Sequence, residues 1–348
     1  MTMHPLIGHQ VAQDRVRRAV AEGRLPHGIL ITGPAGVGKQ RFGLWLAQLL
    51  LCEQQAACGQ CGPCRQVLGL VHPDLHWMVP VLRPKAGELD KQVDELAETL
   101  GQVMEERRQN PLYEAPDGMA GHFVATARLL QRRAAMTPVQ GRRKVFLVGF
   151  AERLVPQESS QEAANALLKL LEEPPADSYF LLTTEDANRL LATVRSRLVP
   201  LRLGRLSDAE VERFLGSAAG VGGAALKDRV FRARGSIGRG LSAGDGNQKA
   251  ARAAEEVLGL MAGGAGGRAE RALKQGPFSA RGDFTAMLDA LAEQLAQRAR
   301  EAAERGQPLE SLVAAQARVA AAREVAQGNV NPQLLLAVLT DDLAEVLA

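Results

Sequence analysis

The stretch HGILITGPAGVGKQRFGLWLAQLL, residues 27–50, decides how the rest of the chain is read. A short apolar run leads straight into a glycine-rich loop and then into a segment of helical periodicity. In that setting the backbone N–H groups of the loop and the N-terminus of the following helix face one point, an arrangement suited to holding phosphate. The phosphate-loop pattern is Gly, four residues, Gly, Lys, then Ser or Thr. Gly33, Gly38 and Lys39 fit it, with Gly36 inside the loop, and Gln40 does not. Gly33, Gly36, Gly38 and Lys39 are therefore the candidate nucleotide-binding residues. What Gln40 lacks is the hydroxyl that holds Mg²⁺ on the β- and γ-phosphates, and an amide is a poor substitute for it. The loop leaves ATP or ADP binding open and predicts no efficient hydrolysis.

Working outward, "KVFLVGF" (144–150) and "SYFLLTT" (178–184) are further short β-rich runs, and helical patterns separate them from each other and from the first strand. Such alternation predicts an α/β core with a mostly parallel sheet over about residues 8–203. A hydrolytic site needs an acidic pair at the end of the second core strand, and Gly149 and Phe150 stand there instead. Glu152, two residues further on, is expected to point elsewhere.

All four cysteines, Cys52, Cys58, Cys61 and Cys64, lie in "CEQQAACGQCGPC". Thiols so closely spaced suit one tetrahedral metal ion better than disulfides, and Gly59 and Gly62 permit tight knuckle turns. The expectation is a structural zinc held by all four, closed to catalysis and bracing a surface loop. A redox Cys-x-x-Cys pair, unrelated buried thiols, and a three-cysteine site completed by His72 or His76 are the alternatives.

Composition narrows the classes further. With 348 residues, 46% apolar and 23% charged, the chain is expected to form two or three soluble domains. The excess of 42 basic over 39 acidic residues, net +3, is too small to argue nucleic-acid binding by charge alone. No long apolar run or signal-peptide layout appears, so a cytoplasmic location is expected.

Residues of about 83–121 read as an insertion outside the core, with a helical pattern followed by a loop. The domain division expected is 1–203 for the α/β core with the cysteine module (52–64), 204–246 for a small helical domain, and 247–348 for an alanine-rich helical domain. In the last of these, Gly306 and Pro308 separate two helices, Gly328 closes the second, and Asn331 with Pro332 starts a third. Earlier in the chain, "SSQEAANALLKLLEEPP" has Ser159 and Glu162 in capping-box spacing, an apolar stripe through Ala163, Leu167, Leu170 and Leu171, and two prolines as a stop.

Taken in order, "GPAGVGK", the cysteine cluster, "NALLKLLEEPP" (165–175), "FLLTT" (180–184), "VRSR" (194–197) and "NVNPQLLL" (329–336) resemble the clamp-loader branch of the AAA+ family. The resemblance spans nearly the whole chain. It implies an AAA+ (P-loop) core with a zinc-binding loop, a small helical lid and a C-terminal all-α collar for oligomerisation. It implies a ring shared with the gamma/tau and delta subunits, which opens the beta sliding clamp and loads it on primed DNA as part of a DNA-directed DNA polymerase, a nucleotidyltransferase. In clamp loaders the arginine of a Ser-Arg-Cys triplet enters the neighbour's ATP site, where an arginine finger in trans adds ~10³ or more to hydrolysis. Here the triplet is Ser196-Arg197-Leu198, so Arg197 inherits that role by resemblance although the cysteine is missing. The sensor arginine of the family's second domain is not carried over, because Gly238 holds its place and Arg239 comes one residue late.

With the acidic pair replaced, the resemblance favours a ring member without ATPase activity over a catalytic gamma/tau-type subunit. Two readings from other classes are a free-standing ATPase with unusual metal ligands and a zinc-dependent nucleic-acid-binding module. Aromatic residues are only 4% of the chain, which argues against the second.

Overall fold

The computed structural model describes residues 3–85, 87–110, 120–154, 162–218, 220–242, 245–261, 263–276, 281–326 and 330–347. The chain divides into two compact units, residues 1–241 and 242–348.

The first unit runs α1 (Gln10–Ala21), β1 (Gly28–Thr32), α2 (Lys39–Leu51), α3 (Gly62–Leu68), β2 (Leu75–Met78), α4 (Leu89–Gln109), α5 (Val124–Ala135) and β3 (Lys144–Val148). It continues with α6 (Glu162–Glu172), β4 (Ser178–Thr184), α7 (Ala192–Arg195), β5 (Val199–Arg202), α8 (Asp208–Ala218), α9 (Gly223–Ala233) and α10 (Ile237–Ser242). The five strands form one parallel sheet in the order β2-β3-β4-β1-β5. A parallel sheet covered on both faces needs strands that are apolar without alternation. That is what "GILIT", "KVFLV" and "SYFLLTT" supply, and these three predicted strands are the centre of the sheet.

Helix α2 lies against that centre. Phe42, Leu44, Leu46 and Leu49 are fully buried with Ile31, Phe146 and Phe180, and the last two rings stack at 4.9 Å between centroids. Gly43 lets the helix approach closely, since a Cβ there would stand 2.6 Å from Leu147. In α6 the expected stripe of Ala163, Leu167, Leu170 and Leu171 is buried. Ser159, the proposed cap, lies outside the described residues.

Helix α4 corrects one expectation. Its Val93, Leu96 and Leu100 belong to the main apolar core, and the Arg107 guanidinium lies 3.7 Å from the centre of the Trp77 ring. The helical part of 83–121 is thus tied into the core rather than standing outside it. Its apolar residues recur at three- and four-residue spacing, which gives α4 a face to bury. The loop at 111–119 lies outside the described residues.

Helices α8, α9 and α10 close a small core of their own through Leu206, Val211, Leu215, Val230 and Ala233. The first residues of α10 press on the glycine loop. The Gly238 N–H donates to the Gly36 carbonyl at 3.0 Å, and a Cβ on Gly238 would come within 2.8 Å of the Gly36 Cα. A side chain at 238 would meet the Gly36 backbone, so the contact depends on glycine there.

The second unit is helical: α11 (Asp245–Gly259), α12 (Ala265–Leu273), α13 (Arg281–Glu304), α14 (Glu310–Val325) and α15 (Pro332–Leu347). Its core joins Ala254, Val257, Leu288, Leu291, Leu295, Val319, Leu336 and Leu343. The break between α13 and α14 falls at Gly306, whose φ of 67° suits glycine. Asn331 caps α15, accepting a hydrogen bond at 2.9 Å from the Gln333 backbone N–H, and Pro332 is its first residue. Gly328 lies outside the described residues. Among the described residues no helix is long and apolar enough to cross a membrane.

Candidate functional site

The glycine loop joins the C-terminal end of β1 to α2 in the middle of the sheet, with β4 on one side. Gly33, Gly36 and Gly38 take φ values of 158°, 69° and 97°, and no side chain caps the N-terminus of α2. The chain before α1 reaches back to this loop, where the His9 ring Nε2 bonds the Val37 carbonyl at 2.8 Å. Between these parts lies a cavity of about 460 Å³. Its wall is apolar at Leu6, Ile7, Phe214 and Leu241 and charged at Lys39, Arg41, Arg107, Glu152 and Glu185.

Lys39 is buried, and its ammonium donates to the carbonyls of Gly33 at 2.9 Å and Pro34 at 2.8 Å, with Glu185 at 3.5 Å. Burial lowers its pKa, opposed by the charges of Glu185 and Glu152. Gln40 turns toward β3. A Cβ at residue 149 would stand 2.6 Å from Gln40 Oε1, so the glutamine fills the space that a side chain at Gly149 would occupy. The Gln40 amide and the missing side chain at Gly149 therefore share one space. Gln40 Oε1 is buried and has no hydrogen-bond partner among the described residues.

The next residue, Arg41, is a finding that sequence reasoning missed. All three of its guanidinium nitrogens are buried without a partner among the described residues, and burial pushes its pKa down to about 10. A signal existed. Lys39 and Arg41 both stand in the first turn of α2, where the helix dipole opposes a cation unless an anion is near.

Glu152 also departs from expectation. It lines the cavity and is buried, close enough to Lys39 for the two charges to shift each other. Burial raises its carboxyl pKa, a shift that a hydrogen bond with Thr184 opposes. The reason is local. Phe150 takes a left-handed φ of 54°, and residues 151–154 form a 3₁₀ turn, which carries Glu152 back beneath the end of the sheet.

Arg197 does not line this cavity. It follows α7 and enters β5, donating to the Thr193 carbonyl at 2.7 Å and pairing with Glu172 at the end of α6.

The four cysteines come together at a separate place, where α2 hands over to α3. Their sulfurs lie within 4.8 Å of one another, and three of the pairs measure 3.7, 3.8 and 3.9 Å. A tetrahedron of ~2.3 Å zinc–sulfur bonds has edges of about 3.8 Å, so the thiols match a closed zinc site. The spacings are far too long for disulfides, and all four cysteines are free. The Cys61 backbone N–H donates to the Cys58 sulfur at 3.4 Å, and Gly59 takes the positive φ, 74°, that the knuckle needs. Gly62 instead begins α3. His72 and His76 stand outside the set: the His72 Nδ1 accepts from the Asp74 backbone N–H, and the His76 Nδ1 lies against Arg133.

The sequence profile described as "DNA polymerase III, delta subunit" matches residues 8–207. A protein of Pseudomonas aeruginosa named DNA polymerase III subunit delta′ is 36% identical over 176 residues, which cover 50% of this chain and 42% of that protein. A protein of Mycobacterium bovis named DNA polymerase III subunit gamma/tau is 30% identical over 201 residues, covering 57% of this chain and 28% of the relative. The chain thus spans less than half the length of these curated relatives. Among solved structures, a gamma-subunit-related protein of Thermotoga maritima aligns with 95% of this chain and 98% of its own, at 14% identity and a TM-score of 0.43.

Proposed function

Since the chain belongs to the family described as DNA polymerase III, delta subunit, we propose that it works as a delta-prime-type member of a clamp-loader ring and hydrolyses no ATP itself. The observation that carries this reading is the filled metal position, where Gln40 occupies the space beside Gly149. A phosphate loop without a metal site cannot neutralise the charge that develops on a transferring phosphoryl group.

The work left to the chain is then structural and in trans. Residues 1–203 form the AAA+ core, 204–246 the lid and 247–348 the collar that holds the ring together with gamma/tau and delta. Arg197 reaches the ATP site of the neighbouring subunit, and the assembled ring opens the beta sliding clamp and places it on primed DNA in the cytoplasm. Zinc held by Cys52, Cys58, Cys61 and Cys64 would brace the junction of α2 and α3, with no coordination position left for chemistry. The position of Arg197 outside the chain's own cavity supports the assignment in trans.

The test is ATP hydrolysis by the complex reconstituted with gamma/tau and delta. Arg197→Ala should leave assembly intact and lower clamp- and DNA-stimulated turnover by ~10³ at the affected site. Unchanged stimulation would remove the trans role.

One observation favours a second reading, a catalytic subunit of gamma/tau type: the Glu152 carboxyl lines the cavity beside Lys39. Magnesium-dependent turnover by the isolated chain, lost on Lys39→Ala, would decide for it.

A further inference from the structure

A second cavity, of about 230 Å³, lies between α4, α5 and β2 and shares only Trp77 with the one at the glycine loop. Its charged groups are the guanidiniums of Arg108 and Arg133, and no acidic residue lines it. Glu105 pairs with Arg108. Arg133 pairs with no carboxylate among the described residues. It donates from Nη1 to His76 Nδ1 at 3.4 Å, and an imidazole offers no negative charge. Burial lowers the pKa of this guanidinium with no acidic group opposing the shift. Trp77 is buried, and its indole N–H also lacks a partner among the described residues. Buried donors of this kind are bonded in nearly every folded protein, so the wall is incomplete as it stands. Gly101 is an independent sign. It stands in the middle of α4, where glycine weakens a helix relative to alanine. A Cβ there would have nothing within 4 Å, so packing does not require the glycine, and what it leaves is room in the cavity wall.

We propose that this second cavity binds a small aliphatic carboxylate, with its two oxygens forked by the Arg133 guanidinium. A guanidinium presents parallel N–H donors that match a carboxylate's geometry, which a lysine cannot do. The Trp77 N–H is a further donor in the same wall, and Arg108 adds positive charge from α4. Leu75 and Met104 stand beside these groups and suit a short hydrocarbon body, which a bare phosphate would leave unused. A few convergent polar groups on an otherwise apolar lining are what a small-molecule site requires. Two sources share this chemistry, a free carboxylic acid and the C-terminal residue of a peptide. The site is independent of the glycine loop and of Arg197, so it stands or falls apart from the function proposed above.

The experiment uses the full chain carrying Trp45→Phe, which leaves Trp77 as its sole indole. Its fluorescence is followed as 4-methylpentanoate is added. A saturable change is expected, with a dissociation constant on the order of 1 mM, an ordinary affinity for so small a ligand. The uncharged 4-methylpentanamide should bind at least about tenfold more weakly. Arg133→Gln should weaken binding of the acid by at least about the same factor, with Arg133→Lys in between. Gly101→Leu should abolish the change while its thermal midpoint without ligand stays at or above that of the parent, because leucine favours a helix where glycine does not. That readout separates a filled site from a lost fold. No saturation at roughly twentyfold the expected constant, equal affinity for the amide, or binding untouched by Arg133→Gln or Gly101→Leu would overturn the proposal. Inorganic phosphate that binds more tightly than the acid would overturn the carboxylate assignment. Alanyl-alanyl-leucine distinguishes the sources: tighter binding than the acid would place the carboxylate on a chain end, weaker binding on a free acid, and either upholds the site.

Discussion

Two polar clusters are attached to α2, one at each end, and they have opposite characters. At the C-terminal end the four thiols are complete: their spacing matches the edges of a zinc tetrahedron and no ligand is missing. At the N-terminal end the glycine loop gathers charged and polar groups that are not closed in this way. Gln40 fills the space beside Gly149, Gly238 packs on Gly36, and Arg41 adds a charge that nothing described in the chain answers. The difference teaches that a backbone motif outlasts its chemistry when the surrounding packing depends on it. Gly36 is held by Gly238, and Gly43 by Leu147, whether or not phosphate is present.

The largest effect that sharpens this contrast should come from the thiol end. Metal binding is folding energy wherever the unfolded chain has no site. Cys52 and Cys64 are buried against a large core, so losing the metal should cost only part of what an isolated zinc module loses, on the order of 4 kcal/mol. The thermal midpoint should then fall by about 10 °C on chelation and recover on adding zinc. Cys61→Ser should imitate the chelated state. Purified chain that contains no zinc by mass spectrometry under native conditions, or a midpoint indifferent to chelator, would show that the two ends of α2 are not so different.

A smaller effect tests whether Gln40 and Gly149 are one packing unit. Gly149→Ala places a Cβ 2.6 Å from Gln40 Oε1, inside any real contact distance. The atom met is the far end of a flexible side chain that can partly turn away, so the cost stays near the low end for overpacking, about 1 kcal/mol. Adding Gln40→Ala should restore most of that loss, giving a coupling well beyond the few tenths expected of independent sites. Urea unfolding of the two single variants and the double variant measures it. Additive losses would mean that the glutamine does not occupy the space beside Gly149.

How much of this was legible in the sequence follows the range of the interactions. The three central strands were readable because burial on both faces demands apolar runs. The two strands that escaped, β2 and β5, are the sheet's edges. "LHWM" carries a histidine, and "VPLR" carries Pro200, which cannot donate to a ladder and belongs at an edge. The cysteine cluster was legible because its four thiols come from one short segment. Glu152 was misread because its direction depends on the reversal at Phe150, and the Gly36–Gly238 contact joins residues 202 positions apart by number, 238 − 36. Arg41 was legible in principle from its place in a helix's first turn, where a cation opposes the dipole, but its burial depends on packing that the sequence does not display.

The last predicted effect, which appears only on acidification, concerns a group that links the glycine-loop site to the sheet. His122 is fully buried, and its ring Nε2 donates to the Gly149 carbonyl at 2.8 Å, directly behind Gln40. Burial drives its pKa down to about 4, with the hydrogen bond to Gly149 opposing and Arg153 assisting. An unfolded histidine titrates near 6.5, so between pH 6.5 and about 4 the unfolded chain takes up a proton that the folded chain refuses. Its contribution is therefore intact above pH 6.5 and is lost as the pH falls toward 4. At pH 5 the loss amounts to about 2 kcal/mol, from 1.5 units at 1.36 kcal/mol each. His122→Gln keeps a donor for Gly149 and cannot charge, so it should lose about 2 kcal/mol less than the parent between pH 7 and pH 5 in urea unfolding. The comparison of variant with parent at each pH cancels acid release of zinc from the thiols and the separate depression of His76, whose burial lowers its pKa to about 3. Equal acid sensitivity in both proteins would place His122 in contact with solvent and loosen the wall against which Gln40 is packed.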